Sequence, residues 1–184
     1  MDEKEIERKL KELGIENFSI SDDGTVDVNG TVDISFKNLT GIPVRFGVVK
    51  GDFNCSNNRL ESLNGSPEEV GVSFFCHRNR LTSLESGPRF VGKAFICRNN
   101  KLTSLTGAPQ SINGNFDCAE NELVSLTGAP QAVNGSFDCS NNKLTTLEGI
   151  PQYVQMVLYC IKNPLPEDIL REYKNISSFL IISE

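Results

Sequence analysis

The chain has 184 residues, 38% of them hydrophobic, with a formal net charge of −6 and a pI near 4.9. That length suits one domain or one short repeat array, and the acidic balance argues against general nucleic-acid or anionic-membrane binding, which calls for clustered positive charge. No run approaches the roughly 18 apolar residues of a membrane span, and the charged opening MDEKEIERKLKEL lacks the apolar stretch of a signal peptide, so the expected location is the cytosol of a bacterium or of an infected host cell.

In chain order, Ile6, Leu10 and Leu13 fall on one face of a short helix that Gly14 stops. The segment TVDVNGTVDIS alternates apolar and polar residues around Asn29-Gly30, a β-hairpin signal. Its second strand leads into the repeat that follows. Residues 1–30 thus read as an N-terminal cap of helix and hairpin.

A repeat occupies residues 31–165. Cys55, Cys76, Cys97, Cys118, Cys139 and Cys160 are each 21 residues apart. Zinc sites pair their ligands over short spacings such as C-x2-C, so this even period excludes them and makes the cysteines a repeat column. Two residues before each stands Phe53, Phe74, Phe95, Phe116, Phe137 or Leu158, and six before stands Val49, Val70, Val91, Ile112, Val133 or Val154. Asn58 and Leu60 open two further columns, three and five residues after the cysteine, that persist to Asn163 and Leu165. Leu63 and Pro67 open the last two, which run to Leu147 and Pro151. Upstream, Val32, Ile34, Leu39 and Ile42 keep the register with Lys37 in the asparagine position, a degenerate first turn.

Phe and Cys are separated by one residue, so both point to the same side of a strand. One turn cannot bury that side alone, but stacked turns make a continuous core. The asparagine sits where the strand turns away and offers both donors and an acceptor to backbone groups the turn leaves unpaired. Proline with Gly65, Gly107, Gly128 and Gly149 favours extended or turning backbone rather than helix on the far side. The cysteines read as small buried hydrophobes, and disulfides between turns are disfavoured in a reducing cytosol.

The unit V-x3-F-x-C-x2-N-x-L-x2-L-x3-P resembles the leucine-rich repeat, with Phe and Cys in two of its leucine positions. The 21-residue period is most similar to bacterial-type leucine-rich repeats. This resemblance implies a solenoid with a parallel sheet on a concave face and mostly extended backbone on the convex face.

After Cys160 the pattern breaks at NPLPEDILREYKN. Pro166, Glu167 and Asp168 read as a helix start, and Ile169, Leu170 and Tyr173 face back onto the last repeat. With the apolar tail FLIIS, residues 166–184 read as a C-terminal cap. The helix, hairpin and repeat layout looks like short leucine-rich-repeat proteins encoded by bacteriophages and some bacteria.

Function is expected on the concave face, where columns between the core positions vary. One column is Asn54, Phe75, Ile96, Asp117, Asp138, Tyr159, and the next is Ser56, His77, Arg98, Ala119, Ser140, Ile161. Phe75 and Ile96 form an apolar pair on a face expected to be wet. Charge is segregated as well. Residues 50–105 carry eight Lys/Arg against five Asp/Glu, and residues 106–150 carry one against five. Arg78, Arg80, Arg98 and Lys101 therefore lie beside Asp117, Glu120, Glu122 and Asp138. The expected function is a non-enzymatic protein-binding scaffold in which Phe75, Ile96, His77, Arg78, Arg98, Asp117 and Asp138 contact a partner, with charge setting orientation. The phage-like layout points to a host protein as that partner. The alternatives are sequestration of a small anionic ligand or nucleotide by Arg78, Arg80 and Arg98, and a structural assembly module. No cofactor or metal is expected: phosphate-loop and dinucleotide motifs are absent, Asp117 and Asp138 alone supply too few ligands for a cation, and His77 has no nucleophile predicted beside it.

Overall fold

The computed structural model describes residues 1–176 and 180–182. It is a parallel β-solenoid with a helix at each end, and the sequence period of 21 residues is the length of one turn. Helix α1 (Glu3–Leu13) starts on Asp2, whose carboxylate accepts the Glu5 N–H at 2.9 Å, and ends on Gly14 at φ +73°. Ile6 and Leu10 are buried against the first turns, so the helix covers core that a solenoid end otherwise exposes.

The hairpin lies one strand earlier than the sequence suggests. Strand β1 (Phe18–Ile20) pairs antiparallel with β2 (Val26–Val28), across a turn at Ser21–Gly24. Asn29-Gly30 instead joins β2 to β3 (Val32–Asp33), and these two strands belong to different sheets. The physical reason is periodicity. Val28 stands one period before Val49, so Asn29-Gly30 occupies the same corner as Lys50-Gly51 and Asn113-Gly114. At that corner backbone passes close to backbone: a Cβ on Gly51 would lie 2.8 Å from the Gly30 carbonyl carbon. A corner that recurs in every turn carries the same Asn-Gly signal as a hairpin.

Each turn therefore contributes two short strands. The one holding phenylalanine builds an eight-stranded sheet, from β3 through Phe53–Asn54, Phe74–Phe75, Phe95–Ile96, Phe116–Asp117, Phe137–Asp138 and Val157–Tyr159 to Leu180–Ile182. All its pairings are parallel and in register. The valine column forms a second ladder, where only extended or irregular backbone was expected. This ladder has a break. Phe90–Val91 and Ser111–Ile112 are not paired, which leaves a five-stranded and a three-stranded piece.

Between the ladders the phenylalanines stack with ring centroids 5.1–5.7 Å apart, from Phe53 through Phe137. The six cysteines are buried, and Cys55, Cys76, Cys97, Cys118 and Cys139 are free thiols. Desolvation pushes the Cys55 thiol up to about 12 and raises Cys76, Cys97, Cys118 and Cys139 well above their ordinary range, so the column from Cys55 to Cys139 is a set of neutral thiols. Burying one phenylalanine contributes about 1.5–3 kcal/mol, and each turn supplies one together with the Val, Cys and Leu columns.

The asparagine column does what its position predicts. Asn79 Nδ2 donates to the carbonyls of Cys55 and Cys76 at 3.0 and 3.1 Å, and its Oδ1 accepts the Leu60 N–H at 3.0 Å. The same set recurs at Asn58, Asn100, Asn121, Asn142 and Asn163, which ties each turn to the one before it.

At the C-terminus α2 spans Glu167–Ile176, with Ile169, Leu170 and Tyr173 packed on the core as expected. Leu180–Ile182 then joins the long sheet parallel to Val157–Tyr159. Phe179 and Ser183 of the apolar tail lie outside the described residues. No helix among the described residues is long and apolar enough to cross a membrane.

Candidate functional site

The long sheet carries Phe75, Ile96, Asp117 and Asp138, while His77 and Arg98 follow its strands and Arg78, Arg80, Lys101, Glu120 and Glu122 stand at and beyond the corner where the chain leaves it. Asp33, Asn54, Phe75, Ile96, Asp117, Asp138 and Tyr159 are register partners, so they form one unbroken column. The pairing places Phe75 directly beside Ile96, and Asp117 beside Asp138.

The column has a local job that the sequence reading missed. At Asp33, Asn54, Asp117 and Asp138 a side-chain oxygen accepts the N–H two residues on, from Ser35, Ser56, Ala119 and Ser140, at 2.9–3.1 Å. These are Asx turns, which hold the chain as it leaves the sheet. Phe75, Ile96 and Tyr159 cannot make that bond. Their turns forgo an interaction of about 0.5–1.5 kcal/mol and present half-buried apolar surface instead. The signal was available in the sequence as Asp or Asn two residues before Ser or Ala, on four of seven turns.

Next to this column, His77 is half-buried with its ring edge-on to Phe75, centroids 6.4 Å apart. Its Nδ1 is buried without a hydrogen-bond partner. Burial, helped by the Arg98 and Arg78 charges, holds the imidazole below its ordinary value, so His77 is neutral at pH 7. No hydroxyl among the described residues is bonded to it, and the Ser56 Oγ donates to Asn54 Oδ1 instead.

The charge boundary falls between two adjacent turns. Arg98 Nε lies 3.7 Å from Asp117 Oδ2. Burial raises the Asp117 carboxyl above its usual range, and the Asp138 and Glu120 charges add to this, against the Ala119 N–H and Arg98. Further along, Glu120 accepts from the Asn99 amide and Glu122 from Lys143, both at 2.7 Å. The acidic half is thus largely engaged within the chain.

The basic half is not. Arg78 and Arg80 are exposed, flank Asn79, and take part in no ion pair among the described residues. Arg59 and Lys101 are equally unpaired and share the Arg80 column, one turn to either side. Arg59 was not singled out from the sequence, although counting one period back from Arg80 finds it. Arg78 has left-handed backbone, φ +54°, at a corner where Asn57, Asn99 and Asn141 occupy other turns. Asparagine tolerates that conformation better than arginine does.

No protein-family model matches the chain, and no curated protein matches it.

Proposed function

We propose that the protein is a leucine-rich-repeat-type scaffold without enzymatic activity, which binds a protein partner on the outward face of its long sheet. The observation that carries this reading is the Phe75–Ile96 pair. Both stand where Asp33, Asn54, Asp117 and Asp138 supply an Asx cap on other turns, so apolar surface replaces a favourable local bond on two adjacent turns. Contiguous apolar surface rimmed by charge is typical of interaction sites. His77 extends the apolar surface, and Arg78, Arg98, Asp117 and Asp138 orient the partner. The resemblance to phage-encoded repeat proteins makes a host protein in a bacterial cytosol the first partner to seek.

The test is capture from a bacterial lysate by the native chain and by a Phe75→Asn, Ile96→Asn variant. Asparagine already serves this column at Asn54, so the variant keeps the fold and gains two caps. Loss of a specific captured protein supports the reading, and identical proteins recovered by both chains overturn it. Sequestration of a small anion draws on the unpaired Arg78 and Arg80. A thermal shift with nucleotides, abolished by Arg80→Ala, would favour that alternative.

A further inference from the structure

We propose that the partner presents an acidic, extended protein segment to the basic corner strip Arg59, Arg78, Arg80 and Lys101, with an apolar side chain of the same segment on Phe75 and Ile96. This rests on the protein-binding reading above and names the chemistry of the partner.

The strip is built by the repeat. The Arg80 N–H donates to Leu60 O and the Lys101 N–H to Leu81 O, both at 2.9 Å, so Arg59, Arg80 and Lys101 stand on three successive turns. Neighbouring turns are about 4.8 Å apart, which gathers the cations along about 10 Å of edge. Arg78 sits on the middle turn, three residues after Phe75, so charge and apolar surface adjoin. The carboxylate nearest in sequence is Glu61, and it forms no ion pair with any of them. Like charges held this close repel one another unless an outside anion joins them.

The next turn reaches only the Lys101 end of the strip, where Glu122, held by Lys143, also feels the Lys101 charge. Asp117 is held by Arg98 and Glu120 by Asn99, and no carboxylate is ion-paired with Arg59, Arg78 or Arg80 among the described residues. Those same carboxylates also select the class of anion. A phosphodiester strand continuing along the stack runs from the strip onto Asp117, Glu120 and Glu122, where it is repelled. A protein segment places its carboxylates only where they are needed. Residues i and i+2 of an extended chain lie about 6.6 Å apart on one side, so two acidic side chains reach the strip together. Guanidinium groups take carboxylates in a planar, two-bond fork, and three of the four cations are arginines.

The test uses a fluorescein-labelled peptide of alternating glutamate and leucine, with a lysine–leucine peptide and a thymidine oligonucleotide of equal charge as controls. The decisive variant is Arg78→Glu, Arg80→Glu. Glutamate already occupies both columns one period on from Asn99 and Lys101, at Glu120 and Glu122, so this variant folds. Expected is binding of the acidic peptide that weakens as NaCl rises from about 20 to about 200 mM, is about tenfold tighter than that of the lysine peptide, and is lost in the variant. Lys93→Glu, away from the strip, should leave it unchanged. Equal acidic-peptide affinity in the variant overturns the proposal. So does oligonucleotide binding as tight as that of the acidic peptide, or a dimer that the variant dissolves, because a nucleic acid or a second copy would then be the occupant. If lysate capture fails with Phe75→Asn, Ile96→Asn but survives Arg78→Glu, Arg80→Glu, the binding face stands and the acidic segment falls. If capture is indifferent to both, both readings fall.

Discussion

The side-chain oxygen of Asn121 accepts the backbone N–H of Leu102, one turn earlier, at 3.1 Å. The Asn121 amide nitrogen meanwhile donates to the carbonyls of Cys97 and Cys118. All of these groups are buried, so water cannot replace the asparagine. Asn121→Ala should cost about 2–4 kcal/mol, since each backbone group left buried and unpaired costs about 1–3 kcal/mol. Asn121→Asp should cost more, because a carboxylate would face two carbonyl oxygens. Urea unfolding followed by circular dichroism measures both. A loss below about 0.5 kcal/mol for the alanine variant would mean that the column is not what joins the turns.

Arg78→Asn should stabilise the chain by about 0.5–1 kcal/mol, because asparagine relieves the left-handed strain at φ +54°. The same change should weaken partner capture, a trade of stability against function. Gly128→Ala tests the opposite case. Its added Cβ would lie 2.5 Å from the Thr106 nitrogen, at φ +85°, and the cost should exceed about 2 kcal/mol. Thermal melts of the two variants should move in opposite directions.

The cysteine column should be chemically silent. Thiolates, not thiols, react, and burial holds Cys76, Cys97 and Cys118 far above the range where thiolates form at pH 7. A thiol-specific reagent should find almost no reactive group in the native chain and all six in strong denaturant. Cys118→Val should be tolerated better than Cys118→Ser, which buries a hydroxyl in an apolar column. Rapid labelling of native protein would contradict the packing described here.

Asp117 gives the protein a defined response to pH. Its folded pKa is raised, chiefly by burial, so the fold favours the protonated form. The contribution of this group is fully present below its ordinary value of 3.8 and is lost as pH rises through the higher folded value. At pH 7 the ionised carboxylate is therefore a cost. Asp117→Asn keeps the turn cap, as Asn54 shows, and should raise the melting temperature at pH 7 by about 1–2 °C. That gain should vanish once the pH falls below 3.8. Melting curves of both chains across pH would show it, and a gain that persists in acid would contradict the assignment.

Most of the fold was legible because each core column repeats with one period, from Phe53 to Leu158 and from Cys55 to Cys160. Stacking requires that repetition, so sequence and structure report the same constraint. The second ladder was not legible. A strand such as Glu69–Val70 brings a single buried residue, Val70, whereas Phe74–Phe75 leads on to buried Cys76 two residues after Phe74, so alternation registers only in the long sheet. Asn29-Gly30 misled for a related reason, since a corner between sheets and a turn within one ask for the same residues. At the site, the Phe75–Ile96 pair stood out from the sequence, but the meaning of Asp117 and Asp138 did not. Their bonds to the Ala119 and Ser140 N–H groups show in the sequence only once the four turns with Asp or Asn two residues before Ser or Ala are compared with the three that lack it.

The two ladders share one chain but not one continuity. The long sheet runs unbroken through eight strands, whereas the other parts between Val91 and Ser111. A load along the stack is therefore borne unequally. The front is hydrogen-bonded at every rung, and the back lacks one rung, beside which Phe90 is exposed. Those same two turns stay joined by the Asn121 amide, which donates to Cys97 O, and by the Glu122 N–H, which donates to Leu102 O, so the stack spans the seam on its other sides.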